Sequence, residues 1–341
     1  MTSPDVWTIR SMLEWCEGYL GRHGDEAPRR SAEVLVGKAC KLERIELYLD
    51  MERPLAPAEL DILREDVRKR GQGMPLQYIT GTAPFRYLEL EVAPGVLIPR
   101  PETEVLVSEV LSVLPPAPKP QDAYDQVLLQ ALAHEGGEQA EGAEASGAAV
   151  TPGPDEAHDA HGAQPAPEEP LLVADLCTGS GCIACSIATE HPQTRVYATD
   201  IVPEAVALAR RNVEACGVAE RVEVLEGDLG AALPQQVLGR LDVVVSNPPY
   251  VPTAVLDDIP REVADFEPTL ALDGGPDGLD LFRRIATWAY SALKPQGHLA
   301  CELHETCLDA AADIAAAAGF SHTRIVNDLA NRPRVLVARK D

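Results

Sequence analysis

Four stretches of the sequence carry residue types that could bind a ligand or do chemistry, and each follows an apolar run. The first is a glycine-containing loop at 177–181, and the second and third are the acids Asp200 and Asp228. The fourth is Asn247, which follows the apolar run 243–245 and precedes two prolines and a tyrosine. Glycine loops and carboxylates of this kind can hold a nucleotide-like ligand, and an amide held by prolines can accept hydrogen bonds.

The run Asn247-Pro248-Pro249-Tyr250 predicts a rigid loop at the carboxyl end of a buried strand. Each proline fixes its own φ angle and restricts the residue before it to extended backbone. We therefore interpret the side-chain oxygen of Asn247 and the carbonyl of Pro248 as acceptors for a substrate amino group. An ordinary exit from a strand into a loop is the alternative that two prolines alone would favour.

The loop 177–181 reads Cys-Thr-Gly-Ser-Gly and opens directly onto a predicted helix. Glycines there let the backbone turn sharply and approach a ligand, although a lone G-x-G is weak evidence. Asp200 ends the next predicted strand, where a carboxylate can accept both hydroxyls of a ribose. Asp228 ends a third strand and could receive an adenine amino group. A helix cap or a solvated loop charge is the alternative for each acid.

The spacing of apolar residues predicts the elements that position these stretches. Residues 5–75 look helical, with apolar residues at helix spacing at Ile9, Leu13, Cys16 and Leu20, at Leu42, Ile45 and Leu49, and at Leu60, Leu63 and Val67. Alternation at 88–92 predicts a hairpin over 82–98 that turns at 93–95. From residue 171 onward strands and helices alternate, and the chain ends in an antiparallel pair at 323–326 and 335–338.

Alternating strands and helices predict an α/β fold with a mainly parallel, doubly wound sheet, in which ligands bind beyond the carboxyl ends of the strands. We divide the chain into a helical domain at 1–81, a hairpin linker at 82–99 and an α/β domain at 100–341. Residues 115–170 hold eleven acidic residues and one lysine among many Pro, Ala and Gly. We expect this segment to be a disordered acidic insertion, with one short helix near 121–133.

Composition excludes several classes of function. The net charge of −25 argues against a protein that lives by binding phosphate backbones. The sequence has no apolar run long enough for a membrane span and no signal-peptide core, so we expect a cytoplasmic protein. The eight cysteines read as reduced core residues. Cys182 and Cys185 lack a second pair, and we expect no metal site.

Taken together, the four stretches on four successive strand ends resemble the class I S-adenosylmethionine-dependent methyltransferases, and Asn-Pro-Pro-Tyr resembles those that methylate planar nitrogens. That group includes adenine-N6 and glutamine-N5 enzymes. Three further motifs resemble the release factor glutamine methyltransferases, the PrmC/HemK family. They are Gly-Met-Pro-Leu-Gln-Tyr-Ile-Thr-Gly at 73–81, Leu-Ile-Pro-Arg-Pro-Glu-Thr-Glu at 97–104, and Glu-Pro at 267–268 followed by Gly-Gly-Pro-Asp-Gly-Leu at 274–279.

The resemblance implies a seven-stranded Rossmann-like sheet, S-adenosylmethionine as methyl donor, S-adenosylhomocysteine as product, and a monomer that needs no metal. It implies class I peptide-chain release factors as partners, methylated on the glutamine of their Gly-Gly-Gln motif, with the helical domain and the hairpin as the docking surface. The implied cofactor residues are Cys177, Thr178, Gly179, Ser180, Gly181, Asp200, Asp228, Leu229 and Asn247. The implied substrate residues are Asn247, Pro248, Pro249, Tyr250 and Phe85, of which Asn247, Pro248 and Tyr250 would be catalytic.

Two positions depart from the family pattern. Cys177 stands where the family usually has glycine, and Leu229 stands where some members carry an aromatic residue. Three other functions remain open from the sequence. An adenine-N6 nucleic-acid methyltransferase would need a basic, aromatic-bearing surface, whereas this chain is acidic and only 4% aromatic. A ribosomal-protein glutamine methyltransferase and a non-catalytic cofactor-binding adaptor are the other two.

Overall fold

The computed structural model describes residues 6–116 and 169–341. Helices α1 to α5 are Ile9–Arg22, Pro28–Cys40, Arg44–Leu49, Pro57–Gly71 and Leu76–Thr80. Helices α6 to α11 are Thr103–Val113, Cys182–Glu190, Pro203–Ala215, Arg261–Ala264, Asp280–Ala292 and Leu308–Ala318. The insertion predicted at 115–170 lies outside the described residues from 117 to 168, as does the helix predicted within it.

Strands β1 and β2, Thr82–Phe85 and Leu88–Glu91, form a separate antiparallel pair. Strands β3 to β9 form one sheet and are Leu171–Leu176, Thr194–Asp200, Val222–Glu226, Leu241–Ser246, Leu293–Glu302, His322–Asn327 and Pro333–Arg339. Their order is β5-β4-β3-β6-β7-β9-β8. Neighbours from β5 to β7 pair in parallel, and β9 is antiparallel to both β7 and β8. The predicted fold class and the terminal antiparallel pair are confirmed.

The order of the strands reverses between β3 and β6. The chain runs outward from β3 through β4 to β5 and then returns to β6, so that Val173 pairs with Val243. Helix ends and loops part at such a reversal and leave a crevice beyond the carboxyl ends of the two strands. The loop 177–181 and Asn247 follow these two strands directly, so the topology places them on the two sides of one crevice.

Alternate residues of the central strands pack on opposite faces of the sheet, as the pleat of a strand requires. Val173, Val243 and Val245 belong to one apolar cluster, which helices α6, α7 and α8 cover. Ala174 and Val244 belong to a second cluster on the other face, covered by α10 and α11. Burial on both faces accounts for the continuous apolar run 243–245, which a half-exposed strand would not show.

The N-terminal helices build their own apolar core, as expected, but α3 differs from the prediction. Ile45 and Leu49, predicted to be on an apolar face, are 67% and 80% exposed, whereas Leu47 is fully buried. Leu42 precedes the helix. Helix α3 spans only six residues, and Leu47 is its only buried side chain. Over so short a helix, the spacing of apolar residues does not predict which face is buried.

The hairpin also differs from the prediction, because its turn lies at Arg86 and Tyr87 instead of 93–95. Arg86 adopts a left-handed backbone with φ of 52°, which usually favours glycine. Its N–H donates to the Glu104 carboxylate, and its guanidinium donates to both oxygens of Glu190 at 2.5 and 2.6 Å. These contacts come from residues distant in the sequence, so the residues next to the turn could not predict its position.

Candidate active site

A cavity of about 380 Å³ lies at the carboxyl ends of β3, β4, β5 and β6, a usual size and place for a ligand site in such a sheet. All four predicted stretches reach it. Of the predicted residues, those that line it are Cys177, Thr178, Gly179, Ser180, Asp200, Asp228, Leu229, Asn247 and Pro249. Its other walls include the segment 95–100, Thr103 at the start of helix α6, and a later loop at 268–271.

The loop 177–181 turns through three left-handed residues, Cys177, Gly179 and Gly181, with φ of 59°, 57° and 82°. Gly181 starts helix α7 so close to helix α8 that a Cβ atom there would lie 3.2 Å from that of Ala209. Glycine is therefore required at this position for two reasons, the backbone conformation and the close packing. Gly181 itself does not line the cavity, but its conformation sets the direction of the loop residues 177–180, which do.

Asp175 holds this loop from inside the sheet. Its Oδ2 accepts hydrogen bonds from the Thr178 hydroxyl at 2.6 Å and from the Ala184 N–H at 3.2 Å, which joins the loop to the first turn of α7. Burial raises the pKa of Asp175 to about 7, although both donors oppose that rise. The Thr178 N–H donates to the Thr199 carbonyl and ties the loop to the next strand end.

Asp200 is held by backbone donors on both of its oxygens. The Gly179 N–H donates to Oδ2 at 2.9 Å, and the Val202 N–H donates to Oδ1 at 3.0 Å. Burial raises its pKa, and these donors act in the opposite direction. A carboxylate oxygen has a second lone pair, so Asp200 can still accept hydrogen bonds from hydroxyl groups in the cavity that it lines.

Asp228 and Leu229, which were expected to border adenine, belong to a mixed wall of the cavity that the sequence predicted only in part. Asp228 pairs with Arg284 at 2.6 Å, and each side chain is about half exposed. Leu229 lines the cavity with a φ of 50°, and Ile201 lines it while remaining 57% exposed. Arg284 and Ile201 were not predicted. An exposed isoleucine directly after a strand-end acid was a usable signal for Ile201, whereas nothing local marks Arg284.

Asn247 is oriented by a residue from the start of helix α6. Its Nδ2 donates to the Thr103 hydroxyl oxygen at 3.0 Å, across 144 residues of sequence. No described residue donates a hydrogen bond to the Asn247 side-chain oxygen, and no backbone N–H of the described ranges donates to the Pro248 carbonyl. Neither predicted acceptor therefore has a donor among the described residues; Asn247 lines the cavity, whereas Pro248 is buried and does not.

Three predicted substrate residues, Pro248, Phe85 and Tyr250, do not line the cavity. Phe85 is 1% exposed and packs in an apolar cluster with Leu90 and Leu106, so the hairpin directs it into the core and not into the cavity. Tyr250 does not line the cavity either, because its hydroxyl donates to Glu302 at 2.9 Å and its ring packs on the second core cluster. The expectation that Phe85 lines the substrate pocket is thus contradicted, and Tyr250, expected among the substrate residues, lies outside the cavity walls.

An ion pair joins the two remaining walls of the cavity. Arg100, directly after the linker, donates to the Glu267 carboxylate at 2.5 Å, and Glu267 is 5% exposed. Burial raises the pKa of Glu267, and Arg100 opposes that rise. Both residues lie in motifs singled out from the sequence, but a pairing across 167 residues could not be read from either motif. Arg100 thus fixes the later loop, with Pro268 and Leu270, against the segment 95–100.

Cys177 is unsuited to act as a nucleophile, because burial raises the pKa of its thiol to about 12 and keeps it protonated near neutral pH. Among residues 6–116 and 169–341 no cluster of three or more His, Cys, Asp or Glu side chains could hold a metal ion. Within the same ranges, no helix is long and apolar enough to cross a membrane.

The left-handed backbone of Cys177 leads to a prediction about stability. A residue with a Cβ atom is strained at this φ, and glycine is not. We expect Cys177→Gly to be more stable toward unfolding than Cys177→Ala by about 1 kcal/mol. Both variants lose the thiol, so the difference isolates the backbone. Urea denaturation of the two proteins measures it, and an alanine variant as stable as the glycine variant would show that the turn is unstrained.

Comparison with known proteins agrees with this geometry. Residues 166–261 match the methyltransferase small domain, and residues 11–81 match the PrmC N-terminal domain. The cavity lies where the strand order reverses between β3 and β6. Together with that sheet order, the matched domain defines the protein as a methyltransferase. Three relatives named release factor glutamine methyltransferase narrow the class further.

The relative from Moorella thermoacetica is 37% identical, and the alignment covers 97% of this chain and 98% of that protein. The one from Geobacter sulfurreducens is 38% identical over 88% of this chain and 85% of that protein. The one from Chlorobaculum tepidum is 34% identical over 96% of each. The chain belongs to the release factor glutamine methyltransferase family, as its motifs predicted.

Proposed function

We propose that the protein transfers a methyl group from S-adenosylmethionine to the side-chain amide nitrogen of a glutamine in peptide-chain release factors. The observation that carries this proposal is the pair of available acceptors, the Asn247 side-chain oxygen and the Pro248 carbonyl, next to the cavity that the glycine loop and Asp200 line. An amide –NH₂ group has two donors, and this pair can accept both. The names of the relatives supply the substrate class.

The residues present fit the cofactor. Asp200 has lone pairs for ribose hydroxyls, loop 177–180 can surround the methionine part, and Leu229 with Ile201 offers apolar surface to adenine. Asp228 is paired with Arg284, so an adenine amino group would share that carboxylate with a guanidinium. When bound, S-adenosylmethionine supplies an electrophilic methyl group, and the protein needs no metal for the reaction.

The protein must make a weak nucleophile reactive, because the lone pair of an amide nitrogen is delocalised into its carbonyl. Asn247 and Pro248 would accept the two N–H bonds, aim the nitrogen at the methyl group and stabilise the positive charge that develops on it. Fixed alignment of two reactants can supply roughly 7–11 kcal/mol of the barrier reduction. No strong base is required before attack, since the methylated nitrogen becomes acidic and can lose its proton afterwards.

We further propose that the chain divides into a helical domain at 1–81, a hairpin linker at 82–99 and a methyltransferase domain at 100–341. The N-terminal helices and the hairpin would form the docking surface for the release factor. Arg70 of helix α4 supports a role beyond packing. It is about 10% exposed and binds Asp25 at 2.7 Å within its own domain and Glu262 at 3.0 Å in helix α9. Helix α9 belongs to the loop that continues from the Asn247 acceptor, so the helical domain and the acceptor loop are joined directly.

The deciding experiment incubates the protein with S-adenosylmethionine and a class I release factor and maps the added methyl group by mass spectrometry. We expect one methyl group on the glutamine of the Gly-Gly-Gln motif, and none when that glutamine is replaced. Adenine-containing DNA or RNA and ribosomal proteins serve as competing acceptors. Methylation of either in preference to the release factor would overturn the assignment, and binding of cofactor without turnover on any acceptor would favour an adaptor.

A further inference from the structure

Leu270 combines exposure to solvent with a place in the wall of the cavity. It belongs to the loop at residues 268–271, which we call the leucine loop, and it lines the cavity while remaining 64% exposed. Ile201 also lines the cavity and is 57% exposed. A single exposed leucine elsewhere on a protein surface needs no explanation. In the wall of a ligand cavity, however, uncovered apolar area is available to the molecule that the cavity binds.

The leucine loop has a fixed shape. The Ala271 N–H donates to the Pro268 carbonyl at 2.9 Å and closes a single turn of 3₁₀ helix. The ion pair between Arg100 and Glu267 anchors the residue directly before this turn. Leu270 is therefore held at one place before any ligand arrives, so that a ligand can contact it without first ordering the loop.

The leucine loop lies beside the acceptor loop, residues 247–250. The Val251 N–H donates to the Leu272 carbonyl at 2.8 Å, which joins the chain just after the acceptor loop to the chain just after the leucine loop. Gly274 then approaches the acceptor loop so closely that a Cβ atom there would lie 2.7 Å from the Tyr250 Cα atom. These contacts hold the exposed leucine on the side of the cavity where the substrate amide is proposed to bind.

Ile201 belongs to a different wall of the same cavity. It directly follows Asp200, the acid proposed to hold the ribose of the cofactor, at the end of β4. The two exposed apolar residues therefore border different ligands, Ile201 next to the ribose acid and Leu270 next to the amide acceptor.

A glutamine substrate has apolar parts as well as its amide. Two methylene groups separate the amide from the backbone, and the acceptors Asn247 and Pro248 address only the –NH₂ group. An apolar side chain beside the acceptor loop can cover these methylene groups and the chain next to them. In the expected Gly-Gly-Gln motif, the two residues before the glutamine carry no side chain, which permits close approach of such a wall.

We propose that Leu270 is a substrate-binding residue that packs against the release factor at its target glutamine, whereas Ile201 packs against the cofactor. The proposal rests on the proposed function, because it takes the ligand beside Asn247 to be a glutamine in a protein chain. Leu270 lies between the two parts of the motif at 267–268 and 274–279, and the sequence did not single it out. The proposal requires that loss of Leu270 and loss of Ile201 affect two different ligands.

Leu270→Ala should weaken binding of the protein substrate alone. We expect the KM for the release factor, measured at saturating S-adenosylmethionine, to rise by about 5- to 15-fold, because alanine removes apolar area that the substrate covers. A contact made equally before and in the transition state leaves kcat unchanged, so kcat should stay within about twofold. The Kd for S-adenosylhomocysteine, measured by calorimetry, should also stay within about twofold, since that ligand does not reach Leu270.

Ile201→Ala should show the reverse pattern. We expect the Kd for S-adenosylhomocysteine to rise by about 5- to 15-fold, because the alanine variant loses apolar contact with adenine. The KM for the release factor should not change at saturating S-adenosylmethionine. The crossed result cannot come from a general loss of stability, which would affect both ligands, and the melting temperature of each variant checks that it is folded.

Leu270→Met and Leu270→Gln separate apolar contact from shape. Both replacements are similar in size to leucine, but only methionine is apolar. We expect Leu270→Met to keep the KM within about twofold of the wild type and Leu270→Gln to raise it as Leu270→Ala does. The matched control is Leu329→Ala. Leu329 lies between β8 and β9, is fully exposed and does not line the cavity, so neither constant should change.

A Leu270→Ala enzyme that loses affinity for S-adenosylhomocysteine as much as for the release factor would place Leu270 in the cofactor wall and overturn the proposal. The same holds for an unchanged KM, for an equal rise in Leu329→Ala, or for a Leu270→Met enzyme as impaired as Leu270→Gln. An unchanged Kd in Ile201→Ala would overturn the part that concerns the cofactor. Failure of the wild type to methylate any release factor contradicts the proposed function itself, whereas wild-type turnover with an unaffected Leu270→Ala contradicts only the role of Leu270.

Discussion

Replacing Asn247 with alanine is expected to lower the rate of methyl transfer by about 100- to 1000-fold, the usual cost of removing one preorganised group that stabilises charge in a transition state. The reason is that alanine leaves the Pro248 carbonyl as a single acceptor for two amide donors. The Asn247 side chain borders the cavity, but Asp200 and the loop 177–181 would still hold the cofactor. Affinity for S-adenosylhomocysteine should therefore stay nearly unchanged.

Steady-state methyl transfer to the release factor and calorimetry with S-adenosylhomocysteine measure the two quantities separately. Asn327→Ala is a suitable control, since Asn327 is exposed at the end of β8 and contacts Asn331. If Asn247→Ala lost cofactor affinity and transfer to the same extent, Asn247 would be a cofactor ligand only, and another group would have to accept the substrate amide.

Removal of the Asp200 carboxylate should have the largest effect on cofactor binding. Hydrogen bonds to a charged group contribute roughly 1.5–3 kcal/mol each, and Asp200 is proposed to make two with the ribose. Asp200→Ala should therefore cost roughly 3–6 kcal/mol and raise the Kd for S-adenosylhomocysteine by about 10²- to 10⁴-fold. Loss of the bonds from Gly179 and Val202 adds to this effect, because Asp200 also fixes the loop that surrounds the ligand.

Asp228→Ala provides the comparison. Asp228 is about half exposed and already paired with Arg284, so an exposed charge of this kind should matter less, with a rise in Kd below about tenfold. Calorimetric titration of both variants with S-adenosylhomocysteine gives the ranking. Equal losses for the two acids would contradict the assignment of Asp200 as the ribose acceptor.

The strand ends could be predicted because their signals are local. A buried parallel strand is a short apolar run, and the residue after it lies at the carboxyl edge, so 177–181, Asp200, Asp228 and Asn247 could be placed in one crevice before any contact was known. The doubly wound fold followed from the alternation of elements, which is also a property of neighbouring residues.

The features that escaped prediction depend on contacts between distant residues. Thr103 contacts Asn247 across 144 residues, and Arg100 contacts Glu267 across 167. The hairpin turn at Arg86 relies in the same way on Glu104 and Glu190. Phe85 was assigned to the substrate pocket by resemblance, but the direction of its side chain depends on the register of a hairpin whose turn was misplaced.

The strand order also determines when the active site can form during synthesis of the chain. The crevice lies between β3 and β6, and the acid beside the acceptor loop ends β7, so its parts are made at residues 177, 247 and 302 in turn. Pairing of such distant strands is slow and comes late in folding. A fragment that stops before β7 therefore lacks both the strand that pairs with β6 and the Glu302 partner of Tyr250.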